Sequence, residues 1–232
     1  MSDALLDVEG VVKRFRGLIA LRRIDLQVQR GEILSIVGAN GSGKTTLLDC
    51  IQGVHVPDEG DISLDGQSIV GFRLDQIVRL GIVRTYQSVR LFETMPAAEQ
   101  VLTGMHCRLR TGLFGALMRT SRARREERQA WYRVNWLLDY VGLRDKGDVP
   151  PALLSYHEQR CLELARVLAA EPCLLLLDEP TAGLETAEAA QMSDLILRLR
   201  SGLGLTILLV EPNMLVVQAV SDRVLLLEYG QK

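Results

Sequence analysis

The sequence predicts an α/β fold: a mostly parallel sheet, an antiparallel β part at the N-terminus, and a helical lobe inserted between the halves of the core. Three observations carry this. After residue 155, continuous apolar strands alternate with helical segments, the pattern of a parallel sheet covered on both faces. EILSIVG (32–38) reads as a buried strand that runs into a glycine-rich turn and then a helix. From about 95 to 145 the texture turns helical and includes both tryptophans, Trp131 and Trp136.

Taken in order, residues 4–12 and 20–30 read as two strands, the second from the alternation in IDLQVQ. The helix TTLLDCIQG follows the glycine-rich turn and is closed by Gly53. GDISLDG (60–66) reads as a short strand between glycines, and IVRTYQ (82–87) as a strand entering a loop. Beyond the lobe come helix 156–170, strand 172–178, helix 186–200, strand 205–210, helix 213–220 and strand 223–228. A single domain is expected, with residues 1–87 and 160–232 forming the α/β core and about 88–159 forming the lobe.

The 232 residues are 47% hydrophobic and 24% charged, enough apolar material for a sizeable core. The net charge of −2 gives no bulk attraction to nucleic acid or acidic lipid. The arginine-rich stretch 108–128 also holds Glu126 and Glu127 and lacks alternating aromatics, so it reads as a solvated helix face with a partner-facing role left open. Cys50, Cys107, Cys161 and Cys173 show no CxxC spacing and are expected to be reduced thiols. The opening MSDALLDVEG carries an early acid and no long apolar run, unlike a signal peptide. The apolar runs near 173–177 and 203–210 fall far below the ~18 residues of a membrane span, so the chain is expected to be soluble and to meet a membrane only through a partner.

The strongest chemical signal is GANGSGKT (38–45), which matches G-x-x-x-x-G-K-[ST] with a strand before it and a helix after it. Glycines 38, 41 and 43 let successive backbone N–H groups of residues 38–46, Ala39, Asn40 and Ser42 among them, turn inward toward phosphate oxygens. The following helix adds its positive end. Lys44 would neutralise the β- and γ-phosphates, the Thr45 hydroxyl would hold Mg²⁺, and Thr46 can donate to the α-phosphate. The second element is LLLLDEP (174–180), an apolar strand that delivers Asp178 and Glu179 to the carboxyl edge of the sheet. Asp178 would support the metal, directly or through a water, and Glu179 would orient and polarise the attacking water. Gln87 ends a strand ahead of the lobe; its amide oxygen can contact the metal or the water, although an exposed loop glutamine fits the spacing equally well. Together these features describe a P-loop NTPase core.

The order GANGSGKTT, Gln87, LSYHEQR, LLLLDEP resembles the ATP-binding cassette (ABC) transporter ATPases over essentially the whole chain. KRFRGLIAL, YQSVRLFETM and RTGLFGALMRT resemble in particular the ATP-binding subunits of branched-chain amino acid importers. The resemblance implies that Phe15 stacks on adenine and that residues 38–46 wrap the phosphates of ATP. It implies that Gln87 serves the metal and the transmembrane contact. Ser155 with its neighbours Tyr156, His157 and Glu158 would cap the γ-phosphate held by another subunit, and residues 182–185 would cross the dimer interface. It also implies a homo- or heterodimer with a second ABC ATPase, transmembrane permease subunits and, indirectly, a substrate-binding protein. Nucleic acid is not among the implied partners. The implied place is cytoplasmic, on the inner face of the cell membrane.

Two departures from the family pattern stand out. His157 occupies the place of a signature glycine, and its imidazole is expected to hinder a phosphate more than help it. VEPNM follows strand 205–210 with Pro212 where the family usually places a histidine, and a proline has neither a side-chain donor nor an N–H. Ser155 and Glu158 still fit the S-x-x-E capping box, so a sound helix start is expected there. The leading expectation is an ATP-hydrolysing importer subunit. The alternative is a nucleotide-binding, hydrolysis-poor half of an asymmetric pair, and a cassette ATPase acting on nucleic acid would want a basic surface or tandem cassettes.

Overall fold

The computed structural model describes residues 4–106 and 121–232, so Cys107 and the stretch 111–118 fall outside it. In chain order the elements are β1 (Ala4–Phe15), β2 (Leu18–Gln29), β3 (Ile33–Val37), α1 (Lys44–Ile51), β4 (Glu59–Leu64), β5 (Gln67–Ser68), α2 (Leu74–Leu80), β6 (Ile82–Arg84), α3 (Ala97–Gly104), α4 (Ser121–Tyr140), α5 (Tyr156–Leu168), β7 (Leu174–Asp178), α6 (Thr186–Leu203), β8 (Thr206–Val210), α7 (Met214–Val220) and β9 (Arg223–Leu226). The short α2 and β5 were not expected from the sequence.

The elements fall into two compact units, Met1–Gln87 with Pro172–Lys232, and Ser88–Glu171. The sequence reading returned to the core at 160, whereas α5 stays with the second unit, because it packs on α3 and α4.

In the first unit one sheet has the order β2-β1-β4-β5, with every pairing antiparallel. The other has the order β6-β7-β8-β3-β9, with every pairing parallel. All five residues of β7 and of β8 are buried, which explains why these strands are apolar runs without alternation. Leu47, Leu48 and Ile51 of α1 share one core with Val8, Ile24 and Leu26 of the antiparallel sheet and Leu34, Ile36, Leu176 and Leu208 of the parallel one. Helix α1 is thereby held by apolar burial on both sides, and its N-terminus stands at the carboxyl edge of the parallel sheet, where β3 and β7 also end. That edge is where open sheets of this kind take ligands.

In the second unit α3 approaches α5 closely: a Cβ at Gly104 would lie 2.0 Å from the Arg166 carbonyl oxygen. The start of α5 carries the expected capping box. The Ser155 hydroxyl accepts from the Glu158 N–H at 3.2 Å, and the Glu158 carboxylate accepts from the Ser155 N–H at 2.9 Å. Lys146 pairs with Glu158 at 2.6 Å, and this bond with that of the Ser155 N–H holds the Glu158 carboxyl below the usual range.

Candidate functional site

The phosphate loop is shaped by backbone close approach. Gly43 caps α1 with φ 107°, a left-handed conformation, and a Cβ there would lie 2.7 Å from the Ala20 carbonyl oxygen. A Cβ at Gly38 would meet the Leu227 carbonyl at 2.1 Å, because Leu227 N–H donates to Val37 and draws the segment after β9 against the loop. Lys44 is buried and donates to the carbonyls of Gly38 (2.8 Å) and Ala39 (2.9 Å), with the buried Ser42 hydroxyl at 3.5 Å. Its ammonium is thus held inside the loop, next to the N–H groups that open α1.

A cleft of about 590 Å³ runs from this loop to the end of β1. Phe15, Asn40, Gly41, Gly43, Lys44, Thr45, Thr46, Gln87 and Glu179 all border it. Phe15 ends β1 and is 36% exposed, with the His55 ring edge-on at 5.0 Å and Lys13 Nζ 5.4 Å from its centroid. These contacts hold an aromatic ring at the mouth of the cleft with room for a planar partner. His55 was not singled out in the sequence, and neither was Tyr229, which borders the same cleft.

Glu179, on the same cleft, follows β7 with φ 49°, a conformation uncommon for a glutamate. Its N–H donates to the Val210 carbonyl at 2.7 Å, and its carboxylate accepts from Gln87 Nε2 at 2.8 Å. Gln87 and Glu179, read separately from the sequence, therefore touch. Asp178 lies one residue back, 4% exposed, and accepts from the Arg84 guanidinium at 2.7 Å. Glu211, just past β8, is also buried and accepts from the N–H groups of Thr181 (3.3 Å) and Asn213 (3.1 Å). Burial pushes its carboxyl up and the charge of Glu179 adds to this, against the pull of those N–H groups. Pro212 stands exposed between Glu211 and Asn213, on the strand end bonded to Glu179.

The oxygens of Thr45, Gln87 and Asp178 are hard donors of the kind Mg²⁺ takes, and Asp178 keeps a second oxygen beyond the one that Arg84 holds. Among the described residues no group of three His, Cys, Asp or Glu side chains forms a metal cage.

Ser155, Tyr156, His157 and Glu158 belong to the second unit. The His157 ring lies along α5 with Nε2 3.5 Å from Cys161 Sγ, and its Nδ1 is buried without a hydrogen-bond partner. The i, i+4 spacing of the two residues brings them together, a signal present in the sequence but passed over. Cys50 is buried on α1, and burial pushes its thiol up to about 12, as befits an inert thiol.

The family described as ABC transporter matches residues 21–182. Over 230 residues the chain is 40% identical to the high-affinity branched-chain amino acid transport ATP-binding protein LivG of Escherichia coli K12, covering 99% of this chain and 90% of that protein. BraF of Pseudomonas aeruginosa PAO1, which carries the same description, is 40% identical over 231 residues, again covering 99% and 90%. Among solved structures, the ADP conformation of MJ1267, an ATP-binding cassette of an ABC transporter, matches with a TM-score of 0.86 and 27% identity, covering 99% of this chain and 89% of that one.

Proposed function

The chain belongs to the ABC transporter family, and from that premise we propose that it is the ATP-binding and ATP-hydrolysing subunit that energises a membrane importer for branched-chain or related amino acids. The observation that carries the reading is the Gln87–Glu179 contact on the cleft that Lys44 also borders, with the buried Asp178 one residue before Glu179. The likeness to LivG and BraF supports the substrate class.

In this reading Phe15 offers its ring to adenine, and the N–H groups of residues 39–46 receive the phosphates at the positive end of α1. Lys44 exchanges the carbonyls of Gly38 and Ala39 for β- and γ-phosphate oxygens, and the Thr46 hydroxyl donates to the α-phosphate. Thr45, Gln87 and Asp178 hold Mg²⁺, which when bound neutralises charge on the phosphate oxygens. Glu179 accepts the proton of the water that attacks the γ-phosphorus, and the Gln87 amide keeps that carboxylate aimed.

Two cassettes, identical or not, would close on two ATP molecules, with Ser155–Glu158 of each capping the γ-phosphate held by the other. The capping box occupies the Ser155 and Glu158 N–H groups, so with the His157 ring folded onto Cys161 the Tyr156 and His157 N–H groups are the ones offered to that phosphate. Among the described residues no helix is long and apolar enough to cross a membrane. Attachment to the inner face of the membrane would come through the permease subunits, with a substrate-binding protein acting beyond them. Co-purification of the chain with permeases, and stimulation of its ATP turnover by leucine, isoleucine or valine, tests the assignment.

Pro212 favours a second reading, a subunit that binds ATP but turns it over slowly. A donor at that position is absent, and such contacts to developing charge are worth about 10²–10³ in rate. Pro212→His is expected to raise maximal turnover by about tenfold or more. An unchanged rate removes the basis for the slow-subunit reading.

A further inference from the structure

Arg84 is the last residue of β6 and its side chain is 2% exposed. Such burial is rare for arginine and requires partners. Its two terminal nitrogens go to two different carboxylates: Nη2 lies 2.7 Å from Asp178 Oδ2, and Nη1 lies 2.6 Å from Asp49 Oδ1. Asp178 ends β7, whereas Asp49 belongs to α1, the helix that begins with Lys44 and Thr45. The guanidinium also lies 5.2 Å from the Tyr86 ring centroid, and the Thr85 N–H donates to the Leu176 carbonyl, which continues the β6–β7 ladder past Arg84. Strand, helix and metal-supporting carboxylate therefore meet at one buried cation.

We propose that Arg84 is a positioning residue for Asp178, taking one of its oxygens, leaving the other for the cation, and tying the carboxylate through Asp49 to the helix that carries Lys44 and Thr45. The proposal rests on the reading of the cleft as a Mg²⁺–ATP site. A planar fork can serve both carboxylates at once; an ammonium is a point charge on a flexible stem and serves two carboxylates poorly at this separation. Arg84→Lys therefore keeps the buried charge while loosening one of the two ties. The two anchoring aspartates sit 35 and 94 positions from Arg84, so Asp178 is located by contacts that its own strand does not supply.

The test is a Mg²⁺ titration of a fluorescent ATP analogue bound to the full chain, alongside binding of the same analogue in EDTA. Arg84→Lys is expected to raise the half-saturating Mg²⁺ concentration about tenfold, the change for one weakened charge-assisted hydrogen bond, with binding in EDTA unchanged. In an Asp178→Asn background, Arg84→Lys is expected to add no further shift. Asp49→Asn leaves the Arg84–Asp178 pair in place and is expected to give a smaller shift in the same direction, so the proposal remains testable if Arg84→Lys folds poorly. An unmoved Mg²⁺ midpoint in a folded variant overturns the proposal. So does an equal loss of binding with and without Mg²⁺, the mark of a purely structural residue. A wild-type chain that binds no nucleotide under either condition overturns the cleft reading itself, and the proposal with it.

Discussion

Glu179→Gln is expected to cut ATP turnover by at least about 100-fold while leaving nucleotide affinity within about twofold, because a glutamine fills the same space but cannot take a proton from water. The geometry makes this substitution clean. The Glu179 carboxylate accepts from Gln87 Nε2 at 2.8 Å, and a glutamine amide oxygen can accept the same bond. The Glu179 N–H to Val210 contact belongs to the backbone and survives the exchange. The left-handed φ of 49° at this residue costs the same for either side chain, so the fold is not penalised twice. A single-turnover measurement with labelled ATP separates binding from chemistry. Retention of bound, uncleaved ATP by the variant is the expected outcome; a rate close to that of the parent would remove Glu179 from the mechanism.

Lys44→Ala is expected to act earlier, at binding. Loss of its charge-assisted contacts to phosphate, on the order of 3 kcal/mol, corresponds to about a 100-fold weaker affinity for Mg²⁺–ATP. The ammonium donates to the Gly38 and Ala39 carbonyls, which stand at the partly exposed loop, so water can replace it when it is removed. Thermal stability without nucleotide should therefore change little, and the stabilisation that ATP confers should largely vanish. Calorimetric titration beside a melting curve checks both halves. Unaltered affinity in a folded variant would mean that phosphates do not sit in this loop.

Much of this site was legible because its parts are local. The loop 38–46 is a single stretch whose glycines are demanded by backbone approach, as the contacts at Gly38 and Gly43 show. β7 and β8 were readable as apolar runs because both faces of their sheet are covered. The S-x-x-E pattern formed both capping bonds, since the two residues lie within one turn. What stayed hidden depends on long-range packing. Arg84 interrupts the apolar run of IVRTYQ, and a lone arginine there signals a buried pair without naming its partners. The return to the core was placed at 160 because α5 continues an apparent α/β rhythm, and only its packing on α3 and α4 assigns it elsewhere. α2 was missed because seven residues show too little periodicity to register. The His157–Cys161 contact went unread, although its spacing of four residues along one helix is present in the sequence.

The Mg²⁺–ATP chemistry and the transport assignment meet in one measurement: ATP-driven uptake of leucine into proteoliposomes that hold this chain with its companion cassette, permeases and binding protein. Uptake that requires ATP on the side bearing this chain, and that disappears with Glu179→Gln in it, is the predicted result. ATP-driven leucine uptake that continues at the parent rate with that substitution, or a complex that takes up none of leucine, isoleucine and valine, would contradict it.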